Sequence, residues 1–247
     1  MIKAVFFDLD GTLRHNLPSG GEFFADYAIQ LGLRATVDDR RRAMRWEHFY
    51  WANSRDLMAD RRAYPDEKIF WDHYARRQLG ALGASDAEAE TLGPKVTEYM
   101  VQAYKPKSVV PEDVMRMLSA LRDGGYVLAV ISNREKSYQE EIETLGIASF
   151  FALALAGGEI RQWKPEPHIF VHACERLGVI PTEAVYVGDN YYADVVGARR
   201  AGLRPVLYDP RGLFPQAGCT TIKSFDELEG VLNTPFVPPA RTADKHR

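Results

Sequence analysis

Asp8 and Asp10 stand one residue apart and are followed at once by Gly11 and Thr12. Two carboxylates beside a glycine and a hydroxyl are a compact way to hold a hard cation and a phosphate together. Both want oxygen ligands, and glycine lets the backbone turn sharply between them. Standing alone, the same residues also read as a strand end and a polar turn, because Asp and Gly are common in turns. Other places in the chain bear on the choice. Ser132 and Asn133 close a second apolar run, Lys164 lies in the loop after a third, and Asp189 follows a fourth. If the runs are strands of one parallel sheet, their carboxyl ends share an edge, and residues far apart in sequence converge there. Three acids, a hydroxyl–amide pair and one lysine suit a magnesium ion and a phosphoryl group.

The elements that must place these residues are legible in order. Ala4-Val5-Phe6-Phe7 is a continuous apolar run of the kind found in strands buried on both faces. Residues 14–21 read as a loop, with Pro18, Ser19, Gly20 and Gly21 as breakers, and Gly20-Gly21 as one expected hinge. From 22 to about 104 no strand pattern occurs. Helical spacing recurs over 22–31, 40–53, 65–79 and 86–103, with Gly93-Pro94 predicting a break in the last. That is a unit of about four helices, closed by an expected linker over 105–110 with Pro106 as the second hinge. Beyond it, strands near 126–131, 150–156, 184–187, 205–208 and 220–222 alternate with helices near 112–121, 135–145, 165–177, 193–201 and 224–232. The alternation predicts an α/β fold, a doubly wound parallel sheet with an inserted α-helical cap domain. The expected division is a core of 1–17 and 106–233, a cap of 18–105, and a loose tail from 234 to 247.

Composition narrows the class. Of 247 residues, 46% are hydrophobic and 26% charged, which fits a globular protein rather than a disordered one. A net charge of −3 gives no reason to expect nucleic acid or an anionic membrane as partner. No run approaches the ~18 apolar residues of a membrane span. Two cysteines, Cys174 and Cys219, are too few for a disulfide framework and read as free thiols in a reducing compartment. The expectation is a cytoplasmic protein, monomeric or homodimeric.

In combination these motifs resemble the haloacid dehalogenase superfamily, in its phosphatase type with a helical cap after the first strand. Asp8-Leu9-Asp10-Gly11-Thr12 matches the first motif of that family, Ile131-Ser132-Asn133 the second, Lys164-Pro165-Glu166-Pro167-His168-Ile169-Phe170 the third, and Gly188-Asp189-Asn190 with Asp194 the fourth. The resemblance implies Asp8 as nucleophile on phosphorus and Asp10 as the acid that protonates the leaving oxygen and then deprotonates water. It implies Lys164 as the third catalytic residue, balancing charge on nucleophile and phosphoryl group. Gly11, Thr12, Ser132 and Asn133 form the implied phosphate-binding group, with backbone N–H groups around Asp10 and Asn133 sharing the work and Thr12 supporting the loop. Magnesium is implied as cofactor, held by Asp8, the Asp10 carbonyl and Asp189, with Asp194 behind them and acting mainly through water or neighbouring bonds.

The implied function is magnesium-dependent hydrolysis of a small phosphorylated metabolite through an aspartyl-phosphate. A phosphomutase shares Asp8 and Asp10, and a non-catalytic binding protein is the reading of a different class. Dehalogenases of the family lack the second acid, so Asp10 speaks against that chemistry. In the cap, Trp46, Phe49, Tyr50, Trp51, Trp71 and Tyr74 read as bundle core at helical spacing. Arg45, Arg55, Arg61 and Arg62 read as a solvated face, and His15 as a surface histidine.

Overall fold

The computed structural model describes residues 1–234. Apart from Thr234, the expected tail lies outside the described residues. Strand β1 (Ala4–Phe7) lies inside a six-stranded sheet with β4 (Val127–Ser132), β5 (Leu153–Ala156), β6 (Ala184–Gly188), β7 (Arg204–Tyr208) and β8 (Thr220–Ile222). The order is β5-β4-β1-β6-β7-β8, and each neighbouring pair is parallel. Side-chain alternation explains why β1 is apolar throughout. Val5 and Phe7 enter a core with Val114, Leu118 and Leu228, while Ala4 and Phe6 enter another with Ile169, Phe170 and Ala198. Phe6 and Phe7 have no exposed surface, and each contributes about 2–3 kcal/mol of burial free energy. Helices α6 (Glu112–Asp123), α7 (Gln139–Thr144) and α11 (Leu228–Asn233) cover the first face. The second is covered by α9 (Pro167–Leu177) and α10 (Val196–Ala201). A single turn, α8 (Gly157–Ile160), follows β5.

The inserted unit has five helices rather than about four: α1 (Gly20–Gln30), α2 (Val37–Trp51), α3 (Arg55–Ala63), α4 (Glu67–Ala81) and α5 (Asp86–Ala103). The missed helix, α3, is short and strongly polar, yet Ser54 caps it by accepting from the Leu57 N–H at 3.1 Å. Capping boxes at Ser19–Glu22, Thr36–Asp39 and Ser85–Glu88 start α1, α2 and α5. The expected break at Gly93-Pro94 does not occur, and α5 runs through it. Burial of Leu92 and Val96 against Ala75 and Leu79 of α4 holds the helix straight enough to continue, and the bare Gly93 lets Arg76 pack closely.

The two stretches read as loop and linker pair with each other. Strand β2 (His15–Leu17) runs antiparallel to β3 (Lys107–Val109), so one ribbon carries the chain into and out of the helices. Gly20 and Gly21 lie in the first turn of α1 rather than in a free hinge. Helix α7 also starts later than expected. The Gly158 N–H donates to the Arg134 carbonyl at 3.0 Å, and the Gly158 backbone packs directly on Glu135, which keeps that segment out of the helix.

Candidate active site

The sheet's carboxyl edge brings the predicted residues together. The Asp8 N–H still donates to the Val187 carbonyl at 2.9 Å, so the last peptide of the β1 ladder fixes this acid. Its side chain is buried, and Lys164 Nζ donates to Asp8 Oδ1 at 2.6 Å. The same ammonium donates to Asp194 Oδ1 at 2.7 Å and to the Tyr186 hydroxyl at 2.9 Å, which spends all three of its protons. The Tyr186 hydroxyl in turn donates to the Ile131 carbonyl at 2.9 Å. The other oxygen of Asp194, Oδ2, accepts from the Asn190 N–H at 2.9 Å.

Lys164 is aimed from its backbone. Asn133 Nδ2 donates to the Lys164 carbonyl at 2.8 Å, and the Lys164 N–H donates to Asn133 Oδ1 at 2.7 Å. The amide of Asn133 thus orients the lysine, and any phosphate contact at this position falls to the main chain. Ser132, buried at the end of β4, lines the same cavity. Gly11 turns the loop with φ of 85° and presses on Asp189, where a Cβ would collide with the carboxylate. Thr12 Oγ1 accepts from the Asp189 N–H at 3.0 Å and lies 3.2 Å from Asp189 Oδ1, tying the first motif to the fourth.

Electrostatics favour a further cation. Asp8, Asp189 and Asp194 offer carboxylate oxygens within 4.8 Å of one another. One lysine serves all three. Burial pushes Asp8 up to about 7; Lys164 pulls it down, while Asp194 and Asp10 push it further up. Asp189 is driven well above the usual carboxylate range by burial and by the charges of Asp8 and Asp194. Burial opposes the charge on Lys164 as well, but Asp194 and Asp8 outweigh it and hold its pKa above the ordinary value. A crowded, oxygen-only acid cluster of this kind fits a hard divalent ion. Asp8 and Asp189 face that position, whereas both oxygens of Asp194 are taken up by Lys164 and Asn190.

Asp10 has surroundings that the sequence did not suggest. Arg134 donates to it twice, from Nε and Nη2, both at 2.8 Å, and Arg14 Nη1 is a second partner. Glu141 bonds both arginines, and Arg14 Nε also donates to Ser108 Oγ of β3 at 2.9 Å. Asp10 thus sits in a guanidinium cradle tied to the ribbon. Arg134 follows the second motif directly, and that adjacency was the available signal. His15 is half-buried rather than on the surface, its ring edge-on to Tyr208 and its Nε2 3.1 Å from the Thr12 carbonyl.

The inserted helices border a cavity of about 660 Å³ over Asp8 and Lys164, lined on their side by residues that include Glu47, His48, Trp51 and Arg61. Of the four arginines read as a solvated face, Arg61 reaches this cavity and pairs with Glu135 of the core at 3.2 Å. That exposed pair contributes less than about 1 kcal/mol. In the aromatic group Tyr50 and Tyr74 are buried, whereas Phe49 and Trp71 remain 41% and 38% exposed, so the cluster is only partly a bundle core. His48 packs edge-on against Phe214 and its carbonyl accepts from Asn190 Nδ2 at 2.8 Å, joining cap to core. Burial lowers its pKa to about 4, against the opposing pull of Asp194 and Asp209. The imidazole is neutral in both states above the unfolded value of 6.5. Below it the unfolded chain takes up a proton that the folded protein refuses until about pH 4. Stability therefore falls across that window, by at most about 3 kcal/mol from this group. His48→Gln is expected to flatten the curve of Tm against pH between 6.5 and 4; an unchanged slope would contradict the burial.

The haloacid dehalogenase-like hydrolase family matches residues 2–202, and the chain belongs to that family. It is 35% identical to the glyceraldehyde 3-phosphate phosphatase of Methanopyrus kandleri, over 82% of this chain and 82% of that protein. It is 32% identical to the phosphoserine phosphatase of Thermus thermophilus, over 87% and 91%. The crystal structure of a HAD phosphatase from Thermococcus onnurineus superposes with a TM-score of 0.57 at 27% identity, over 96% of this chain and all of that one. Among the described residues no helix is long and apolar enough to cross a membrane.

Proposed function

We propose that this protein is a magnesium-dependent phosphatase of small phosphomonoesters that works through an aspartyl-phosphate on Asp8. The observation that carries the reading is the Lys164 ammonium held at 2.6 Å from Asp8 and 2.7 Å from Asp194, beside Asp189, at the floor of a capped cavity. Family membership and the phosphatase names of the relatives support it. Residues 18–105 serve as the cap, and 1–17 with 106–233 as the catalytic core.

In this reading an Asp8 carboxylate oxygen attacks phosphorus as the bond to the leaving oxygen breaks, and Asp10 gives that oxygen a proton. Water then attacks the aspartyl-phosphate, its proton passes to Asp10, and inorganic phosphate leaves as the Asp8 carboxylate is restored. Lys164 offsets charge on nucleophile and phosphoryl group, and Ser132 with the backbone of the Asp10–Thr12 loop receives the phosphoryl oxygens. Asp8, the Asp10 carbonyl and Asp189 would hold magnesium, with Asp194 keeping Lys164 in place. When bound, magnesium neutralises phosphoryl and carboxylate charge.

The test is turnover of p-nitrophenyl phosphate and a panel of phosphorylated metabolites. Hydrolysis is expected with magnesium, lost in EDTA and restored when magnesium is returned. A folded protein that releases no phosphate from any of them with magnesium present would overturn the proposal.

A further inference from the structure

Three cavities meet beneath the cap. Besides the catalytic one, a cavity of about 440 Å³ lies within the helices and one of about 400 Å³ lies on the ribbon side. Among the described residues, Glu47 alone borders all three. Trp51 Nε1 donates to the Tyr74 hydroxyl at 3.1 Å, and that hydroxyl points its proton at Glu47 Oε1 from 3.5 Å. Burial and the Glu47 charge keep Tyr74 protonated, so it can only donate toward the acid.

That single long bond leaves the carboxyl poorly served. Other cap acids are well bonded: Asp39 to Thr36, Glu88 to Ser85 and Asp60 to Arg77. Glu47 has no ion pair among the described residues, and Arg211 is paired through Nη2 with Glu22 at 2.7 Å. Burial pushes Glu47 up to about 7, with Tyr74 and Arg211 only partly opposing it. Glu47 is half-buried and lines the cavity over Asp8 and Lys164, so a carboxyl with one long protein hydrogen bond is available to a donor on the group that lies there.

We propose that Glu47 is the residue by which the cap reads the leaving group. Its carboxyl accepts a hydrogen bond from a hydroxyl or ammonium on the released alcohol, so the substrates are phosphomonoesters of sugars, polyols or amino alcohols. Trp51, which borders both the catalytic cavity and the one within the helices, gives the same group an apolar flank. The assignment rests on the phosphatase reading above.

The experiment compares kcat/KM for the best sugar or amino-alcohol phosphate of a panel with kcat/KM for p-nitrophenyl phosphate, whose leaving group carries no donor. In Glu47→Gln the ratio is expected to fall at least tenfold, mainly through KM, as loss of one hydrogen bond to a charged acceptor implies. Glu47→Asp, which keeps the acid but shortens it, should give an intermediate ratio. The alcohol of the best substrate should inhibit p-nitrophenyl phosphate turnover by the unaltered protein and do so at least tenfold more weakly in Glu47→Gln. An unchanged ratio, or a preference of the unaltered protein for p-nitrophenyl phosphate over every donor-bearing ester, would overturn the assignment. No turnover of any ester would instead overturn the phosphatase reading.

Discussion

Asp8→Asn abolishes turnover and does not lower the melting temperature in metal-free buffer at pH 8: that is the expected result with the largest effect. In the proposed mechanism Asp8 is the nucleophile, so its removal removes the step itself, and a loss of about 10⁴-fold or more is the scale to expect. The stability half follows from linkage. The carboxyl ionises at 3.8 in the unfolded chain and at about 7 in the folded one. The folded state is therefore progressively penalised as pH rises through that interval, and the full penalty is present at pH 8. Asparagine carries none of it. The Lys164 bond that is lost offsets part of the gain, since that ammonium keeps Asp194 and Tyr186. Calorimetry in EDTA and phosphate release decide it together. Retained activity would end the mechanism, and a fall of many degrees would end the electrostatic account.

The second large effect is expected from Lys164→Met. This change removes the one ammonium from a buried cluster in which Asp8, Asp189 and Asp194 crowd one another. Breaking a buried pair by deleting one partner costs about 3–5 kcal/mol, because the remaining charge is stranded. Urea unfolding of the metal-free variant at pH 8 should show a loss of that order. The deficit should shrink at lower pH, where the carboxylates take up protons, and shrink again when magnesium is added. Activity should fall about 10³-fold and stay down even when stability returns, because metal cannot replace an ammonium aimed at Asp8. A variant as stable as the parent in EDTA would show that the cluster is not as crowded as described.

Much of this was readable from residue types alone, and the failures have a common cause. The alternation of apolar runs and helical spacings led to the parallel sheet, and the acids at strand ends led to the edge where Asp8, Lys164 and Asp189 meet. What escaped was decided by contacts between distant segments. His15–Leu17 and Lys107–Val109 are each three residues long and become strands only by pairing with each other. Pro94 is a helix breaker by local rules, yet α5 continues because its neighbours are buried against α4. The side-chain amide of Asn133 closes on the Lys164 backbone, a pairing across 31 residues that no local pattern announces. Arg134, Tyr186 and Glu47 carry no motif; they matter because of what they face.

The position of β1 inside the sheet has a consequence for how the chain is made. Ala4 pairs with Val127 on one side and Ala184 on the other. Strand β1 is thus made well before either partner and waits for the nearer one until Val127 exists. The cap helices, whose contacts with one another lie closer in sequence, can be complete by then. Meanwhile Ala-Val-Phe-Phe is the kind of bare apolar segment that pairs with the wrong chain. It is only four residues long, with Lys3 before it and Asp8 and Asp10 soon after. Charges flanking a hydrophobic strand act as gatekeepers against aggregation. The two acids that open the active site are therefore useful to this protein before it has one.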